Sequence, residues 1–130
     1  MRITIRMVLP TVLLLCTNAL GMEEKEITVK LTVPDATWSI AIDAVYEVGD
    51  ELWVVSIVSP NPDMAGVQMI STVQASLTIA APDLPVKNFI VGKTWNWKNE
   101  EPYTFIEGLK QIHDEIQSGK LLYQAAKAGP

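Results

Sequence analysis

The sequence predicts an all-β fold, a β-sandwich or bent antiparallel sheet of five or six strands, with one C-terminal α-helix. Three observations support this class. Apolar and polar side chains alternate through much of residues 27–91, breaker residues separate the runs, and only residues 104–117 change to a helical period. A period of two places apolar side chains on one face of a strand, as a half-buried sheet requires.

Residues 1–21 are predicted to be a signal peptide. Arg2 and Arg6 give a positive start, an apolar stretch follows, and the small residues Ala19 and Gly21 precede a cleavage site before Met22. The sequence therefore predicts an exported protein, periplasmic or secreted, with no transmembrane helix in its mature chain. A short membrane anchor that is kept is an alternative, although the stretch is short for spanning a bilayer.

Loss of this segment changes both charge and thiol content. Two arginines leave with it and no acid does, so the formal net charge moves from −5 to −7. Such acidity argues against nucleic acid or an anionic membrane surface as partner, because both require clustered Lys and Arg. A basic protein partner stays open, as does a role of the charge in solubility alone. Cys16 is the only cysteine, and Leu13 ahead of it leaves a lipoprotein as another alternative.

The strands follow in order within one domain, residues 22–130. Residues 27–33 alternate, and residues 38–48 place their apolar side chains on one parity: Trp38, Ile40, Ile42, Ala44, Tyr46 and Val48. After a turn at Gly49-Asp50, residues 52–58 are apolar on both parities, which indicates a strand covered on both faces. Residues 67–79 alternate again and are predicted to complete an antiparallel meander. Residues 86–91 form a further strand that ends at Gly92.

The C-terminal helix is predicted over residues 104–117. Thr104 and Glu107 match a capping box. Apolar side chains then repeat at helical spacing and form one stripe: Phe105, Leu109, Ile112 and Ile116. Gly119 is expected to end the helix, and residues 121–126 to add a helical turn or two.

The candidate binding residues lie in a segment without periodicity, residues 93–103. They are Trp95, Trp97, Tyr103, Glu100 and Glu101. Trp95 and Trp97 share a parity, so an extended segment would present both rings on one side as an aromatic ledge beside an acidic pair. The alternative is that the tryptophans close the open end of the sandwich or support the helix, since aromatic rings bury large areas.

Few residues suit catalysis or metal binding. His113 is the only histidine, so neither a histidine relay nor a zinc site is expected, and the sequence predicts no cofactor and no metal. Glu100 and Glu101, or Asp35, would serve a carboxylate-dependent hydrolase only if folding set two carboxyl groups at the required separation.

The order of features in residues 38–79 resembles a known family. An aromatic residue precedes alternating aliphatics at 38–42, Gly49 marks a turn, an aliphatic run covers 52–58, and a loop containing Pro and Gly leads into Val67-Gln68-Met69-Ile70. In this order they are similar to the PrcB-type C-terminal domain, a small secreted bacterial β domain named for a protease-complex subunit. The resemblance implies a β fold and a role beside a protease, and it carries over no functional residue.

The predicted function is therefore a non-enzymatic exported module that binds an unidentified partner through loops 59–66 and 93–103, because such loops shape rigid surfaces and supply aromatic anchors. A protease inhibitor or an accessory subunit of a protease complex is the alternative. A carboxylate-dependent hydrolase is the third possibility. The oligomeric state is left open by the sequence.

Overall fold

A computed structural model describes residues 22–63 and 69–126. Within them lie seven strands: β1 (Glu23–Val33), β2 (Trp38–Val48), β3 (Glu51–Pro60), β4 (Ser71–Ala81), β5 (Val86–Val91), β6 (Thr104–Ile106) and β7 (Lys120–Gln124). A 3-10 turn, Leu109–Ile112, continues into the helix α1, His113–Gln117. The all-β class with one short C-terminal helix is confirmed. The signal peptide, Cys16 and part of the 59–66 loop lie outside the described residues.

The strands form two sheets that pack face to face. One is a five-stranded sheet in the order β6-β5-β3-β2-β7, and the other is a two-stranded ribbon of β1 and β4. The ribbon covers one face of the larger sheet with the buried row Ile27, Val29, Leu31 and Val33. The C-terminal helical segment covers the other face, where Ile112 and Ile116 contact Trp53 and Phe89. No helix in the described part of the chain is long and apolar enough to cross a membrane.

Strand β3 lies at the centre of the larger sheet and is covered on both faces, as its sequence predicts. Val54 and Val58 face the ribbon, whereas Trp53 and Val55 face the helical segment. An antiparallel partner, β2, and a parallel partner, β5, occupy its two edges. Gly49 makes the turn from β2 with φ +59°, in the left-handed region that glycine adopts without strain.

The prediction of a single apolar face for β2 is wrong beyond Ile42. The pairing register with β3 shifts between Ile42 and Ala44, so a bulge lies at Asp43. A bulge adds one residue and exchanges the two faces of the strand after it. The residues before the bulge face the ribbon, whereas Tyr46 and Val48 face the helical segment.

The predicted meander is wrong in its third strand. Strand β4 leaves β3 and pairs with β1 along its full length, from Val33↔Ser71 to Glu23↔Ala81. The pairing also extends β1 to Glu23, four residues before the predicted alternation begins at residue 27. A ten-residue connection between β3 and β4, residues 61–70, is longer than hairpin turns require and allows the chain to change sheets.

The helix predicted over residues 104–117 begins only at Leu109, as a 3-10 turn, and Thr104 is not its N-cap. Residues 104–106 are strand β6, which pairs in parallel with β5. Thr, Phe and Ile are strand-forming types, and the open edge of β5 outweighs the local capping pattern. Residues 120–124 are also a strand, β7, on the edge of β2. Gly119 permits this approach, since a Cβ there would lie 2.6 Å from the Glu47 carbonyl oxygen.

Candidate functional site

Residues 92–103 connect two neighbouring parallel strands and must therefore cross over the sheet. They cross on the ribbon side, because Trp95 and Tyr103 pack against the core between ribbon and sheet. Gly92 starts the crossing with φ +107°, and a Cβ there would lie 2.2 Å from the carbonyl oxygen of Val58. The crossover segment, residues 92–103, is thus anchored at its first residue by a contact that only glycine tolerates.

The two tryptophans of the crossover segment occupy different positions. Trp95 meets Trp38 edge to face, with ring centroids 5.0 Å apart, and it packs against the core. Its indole Nε1 donates a hydrogen bond to Asn99 Oδ1 at 2.8 Å. Trp97 lies outside this core and is half-buried, and its ring centroid is 5.5 Å from that of Trp95. The packing of Trp95 is what the core interpretation of these rings predicts, and Trp97 keeps a face toward the surface.

Polar side chains of the crossover segment bind the outer edge of β1. Glu101 Oε2 accepts hydrogen bonds from the Thr32 amide at 2.9 Å and the Thr32 hydroxyl at 2.8 Å. Asn99 Nδ2 donates to the Thr32 carbonyl at 2.8 Å and to Glu101 Oε1 at 2.9 Å. The Tyr103 hydroxyl accepts a longer bond from the Lys30 amide at 3.4 Å. Two predicted binding residues, Glu101 and Tyr103, therefore satisfy backbone groups of a strand edge.

These contacts favour the ionised form of Glu101. Partial burial raises the pKa of its carboxyl, but the hydrogen bonds from Asn99 and Thr32 outweigh that effect and hold the pKa below the ordinary 4.5. All three bonds are donated to the carboxylate, which stabilises the ionised form. Glu101 is therefore an anion at neutral pH and holds no proton to give to a substrate.

A groove opens beside this edge. Its volume is about 630 Å³, within the usual range for ligand sites. It is lined by Thr32, Ile70, Trp97, Lys98, Glu100 and Glu101. Glu100 and Lys98 are exposed, and Ile70 is 67% exposed. The lining thus combines an indole ring, an aliphatic side chain, two carboxylates and one ammonium group.

The groove unites some predicted site residues and adds others. Trp97, Glu100 and Glu101 line it together, whereas Trp95 and Tyr103 pack inward. Thr32 and Ile70 come from β1 and from the approach to β4, far away in sequence, so no local pattern indicates them. Lys98 and Asn99 lie inside the predicted loop, and a buried asparagine amid hydrogen-bonding neighbours has no distinctive sequence signal.

The other candidates for chemistry lie apart from one another. The Asp35 carboxylate accepts hydrogen bonds from the amide and hydroxyl of Thr37 within the β1–β2 turn, and these bonds lower its pKa. His113 is exposed on α1. Across residues 22–63 and 69–126, no three His, Cys, Asp or Glu side chains converge as metal ligands do. The described part of the other predicted contact loop, residues 59–63, is exposed and does not line the groove.

No model of a protein family, no curated protein and no solved structure matches this chain. The resemblance to the PrcB-type domain therefore stays a prediction from the sequence.

Proposed function

We propose that this protein is an exported, non-enzymatic binding module that takes a basic side chain of a protein partner into the groove beside Trp97. The observation that carries the proposal is the pairing of an indole ring with two carboxylates in one groove of about 630 Å³. Aromatic faces attract Lys and Arg side chains, and adjacent carboxylates provide the counter-charge.

Electrostatics favours a cation over an anion at this position. Hydrogen bonds stabilise the Glu101 carboxylate and lower its pKa, and Glu100 adds a second acid on the exposed rim. Lys98 offsets one of these charges, which leaves the lining with a net negative charge. The whole chain is also acidic, with a formal net charge of −5, and this field speeds the approach of a basic partner.

Binding fits the groove better than carboxylate catalysis does. A glycosidase needs one carboxyl group that keeps its proton until the leaving group departs. Glu101 has a lowered pKa, and its carboxylate already accepts hydrogen bonds from Thr32 and Asn99. Asp35 has its own partners inside a separate turn. Static carboxylates held in this way suit recognition of a cation.

The test measures binding of a short lysine- and arginine-containing peptide by calorimetry, at low and at high salt. Trp97→Ala should weaken binding about tenfold, the size of a partly desolvated cation–π contact. Glu100→Gln should weaken it less and reduce its salt dependence. Glu107→Gln, also an exposed acid but outside the lining, is the matched control and should bind as the unaltered protein does.

Equal affinities in all three variants, or no binding of the peptide to the unaltered protein, would contradict the proposal. Capture of partners from the exported fraction separately distinguishes a general binding module from a protease-related role. Recovery of a protease whose activity changes on binding would favour the inhibitor or accessory-subunit alternative.

A further inference from the structure

The two long strands of the ribbon differ at their outer edges. On β1, the amide and carbonyl of Thr32 point outward and bond to Glu101 and Asn99, and the Lys30 amide points outward to Tyr103. In an antiparallel ladder, a residue whose backbone groups point outward faces a partner whose groups also point outward. Thr32 is opposite Thr72, so the backbone groups of Thr72 point to the free edge of β4.

The same alternation extends along β4. The residues whose amides and carbonyls face the free edge are Thr72, Gln74, Ser76, Thr78 and Ala80. Among the described residues, no strand and no side chain bonds to this edge. Natural proteins usually protect such an edge with charge, proline or a bulge. Strand β4 has eleven residues and none of these devices.

The apolar face of β4 is also incompletely covered. Its inward row consists of Val73, Ala75, Leu77 and Ile79, all half-buried, whereas the corresponding row of β1 is buried. Both rows face the same core. The difference places a strip of accessible apolar surface directly beside the free backbone edge.

We propose that the outer edge of β4 pairs antiparallel with β4 of a second copy of this chain, in a register centred on Ser76. The outward-pointing residues then match in pairs that exchange backbone hydrogen bonds: Ser76 with Ser76, Gln74 with Thr78 and Thr72 with Ala80. The two ribbons become one four-stranded sheet in the order β1-β4-β4-β1.

The side chains of both faces fit this register. On the inner face, Ala75 is opposite Leu77 and Val73 is opposite Ile79, so small side chains meet large ones and the apolar strip becomes continuous. On the outer face, every residue at the junction is uncharged. Because β4 carries no charge, a charged strand would find no opposite charge at this edge. A second copy of β4 can pair there without electrostatic repulsion.

The flanking β1 strands are also compatible across the junction. Lys30 is opposite Gln74 and Glu26 is opposite Thr78 within each ribbon. In the proposed register, the two cross-strand rows that pass through Gln74 and Thr78 therefore end in Glu26 of one copy and Lys30 of the other. No row brings two like charges into line, although the chain as a whole is acidic.

The test introduces charge at the pair Gln74 and Thr78 in the whole 130-residue chain and measures self-association by sedimentation equilibrium. The like-charge variant, Gln74→Glu with Thr78→Glu, should weaken the dimer at least about tenfold, because it sets two pairs of carboxylates opposite each other. The opposite-charge variant, Gln74→Glu with Thr78→Lys, should dimerise at least as tightly as the unaltered protein. Both positions are exposed, so both variants should fold.

Two results would overturn the proposal: an unaltered protein that stays monomeric at every concentration, or two charge variants with the same dissociation constant. If the like-charge variant fails to fold, Ser76→Pro takes its place. The Ser76 amide points to the free edge, so proline there removes no bond to β1 and should abolish only the dimer. A dimer that survives Ser76→Pro would show that another surface joins the copies.

Discussion

The amide of Asn99 connects the crossover segment to both the core and the ribbon, and its removal should destabilise the whole domain. The residue is only 6% exposed. Its oxygen accepts from Trp95 Nε1, and its nitrogen donates to the Thr32 carbonyl and to Glu101 Oε1. Asn99→Ala removes all three bonds at once and puts no other polar group in their place.

The magnitude follows from the partners that remain. Water reaches the exposed side of Glu101, so most of the loss comes from the Trp95 indole N–H and the Thr32 carbonyl. A buried donor or acceptor left without a partner costs about 1–3 kcal/mol, so for these two groups we expect a loss of roughly 2–6 kcal/mol in the free energy of unfolding. Small domains have only about 5–15 kcal/mol in total. The variant should therefore fold, but with a much smaller free energy of unfolding.

Urea unfolding monitored by tryptophan fluorescence measures this loss. The midpoint should fall while the slope stays the same, because the area exposed on unfolding does not change. Asn96→Ala is the matched control: it is the same substitution in the same segment at an exposed residue, and it should cost less than about 0.5 kcal/mol. If Asn99→Ala cost no more than Asn96→Ala, the bonding role assigned to Asn99 would be refuted.

Two further predictions concern the same segment. Because folding lowers the pKa of Glu101, its contribution to stability should be complete above its ordinary pKa of 4.5 and should disappear as the pH falls through the lower value of the folded state. Glu101→Gln should therefore be less stable than the unaltered protein at pH 7, and urea unfolding should show the difference shrinking in acid. A constant difference across that range would contradict the assignment. Gly92→Ala should cost roughly 1–3 kcal/mol for its positive φ, plus the displacement of Val58, whereas Gly108→Ala, extended and uncrowded, should cost little; equal costs would be inconsistent with the close approach.

The hydrophobic pattern predicts where strands occur better than which strands pair. Residues 52–58 are apolar on both parities, and β3 is covered on both faces, because a residue's need for burial is a local property. Which strand pairs with β4 is not decided by local sequence. Its alternation is equally compatible with β3 and with β1, and only the length of the intervening connection favours a change of sheet.

The errors at Asp43 and Thr104 have a common cause. An acid on the polar face of a strand looks the same whether it continues the ladder or forms a bulge. Val45, apolar on the mostly polar parity and buried on the ribbon side, is the one sign in β2 of the exchange of faces after Ile42. At Thr104 a helical capping pattern competes with strand propensity, and the vacant edge of β5 decides the outcome. That edge exists only after the sheet has assembled.

The groove was only partly predictable for the same reason. Unusual side chains mark the crossover segment, and Trp97 and Glu100 do reach the groove. Their separation from Trp95 and Tyr103 depends on which way the segment passes over β1. Thr32 enters the lining only because its backbone is the edge that the segment covers.

The crossover segment performs both a structural role and its proposed binding role. Trp95, Asn99 and Glu101 hold the ribbon, whereas Trp97, Lys98 and Glu100 present their side chains to the groove. Glu101 serves both roles, because it bonds to Thr32 and also lines the groove. Among the described residues, the crossover segment seals the outer edge of β1 and leaves the outer edge of β4 free.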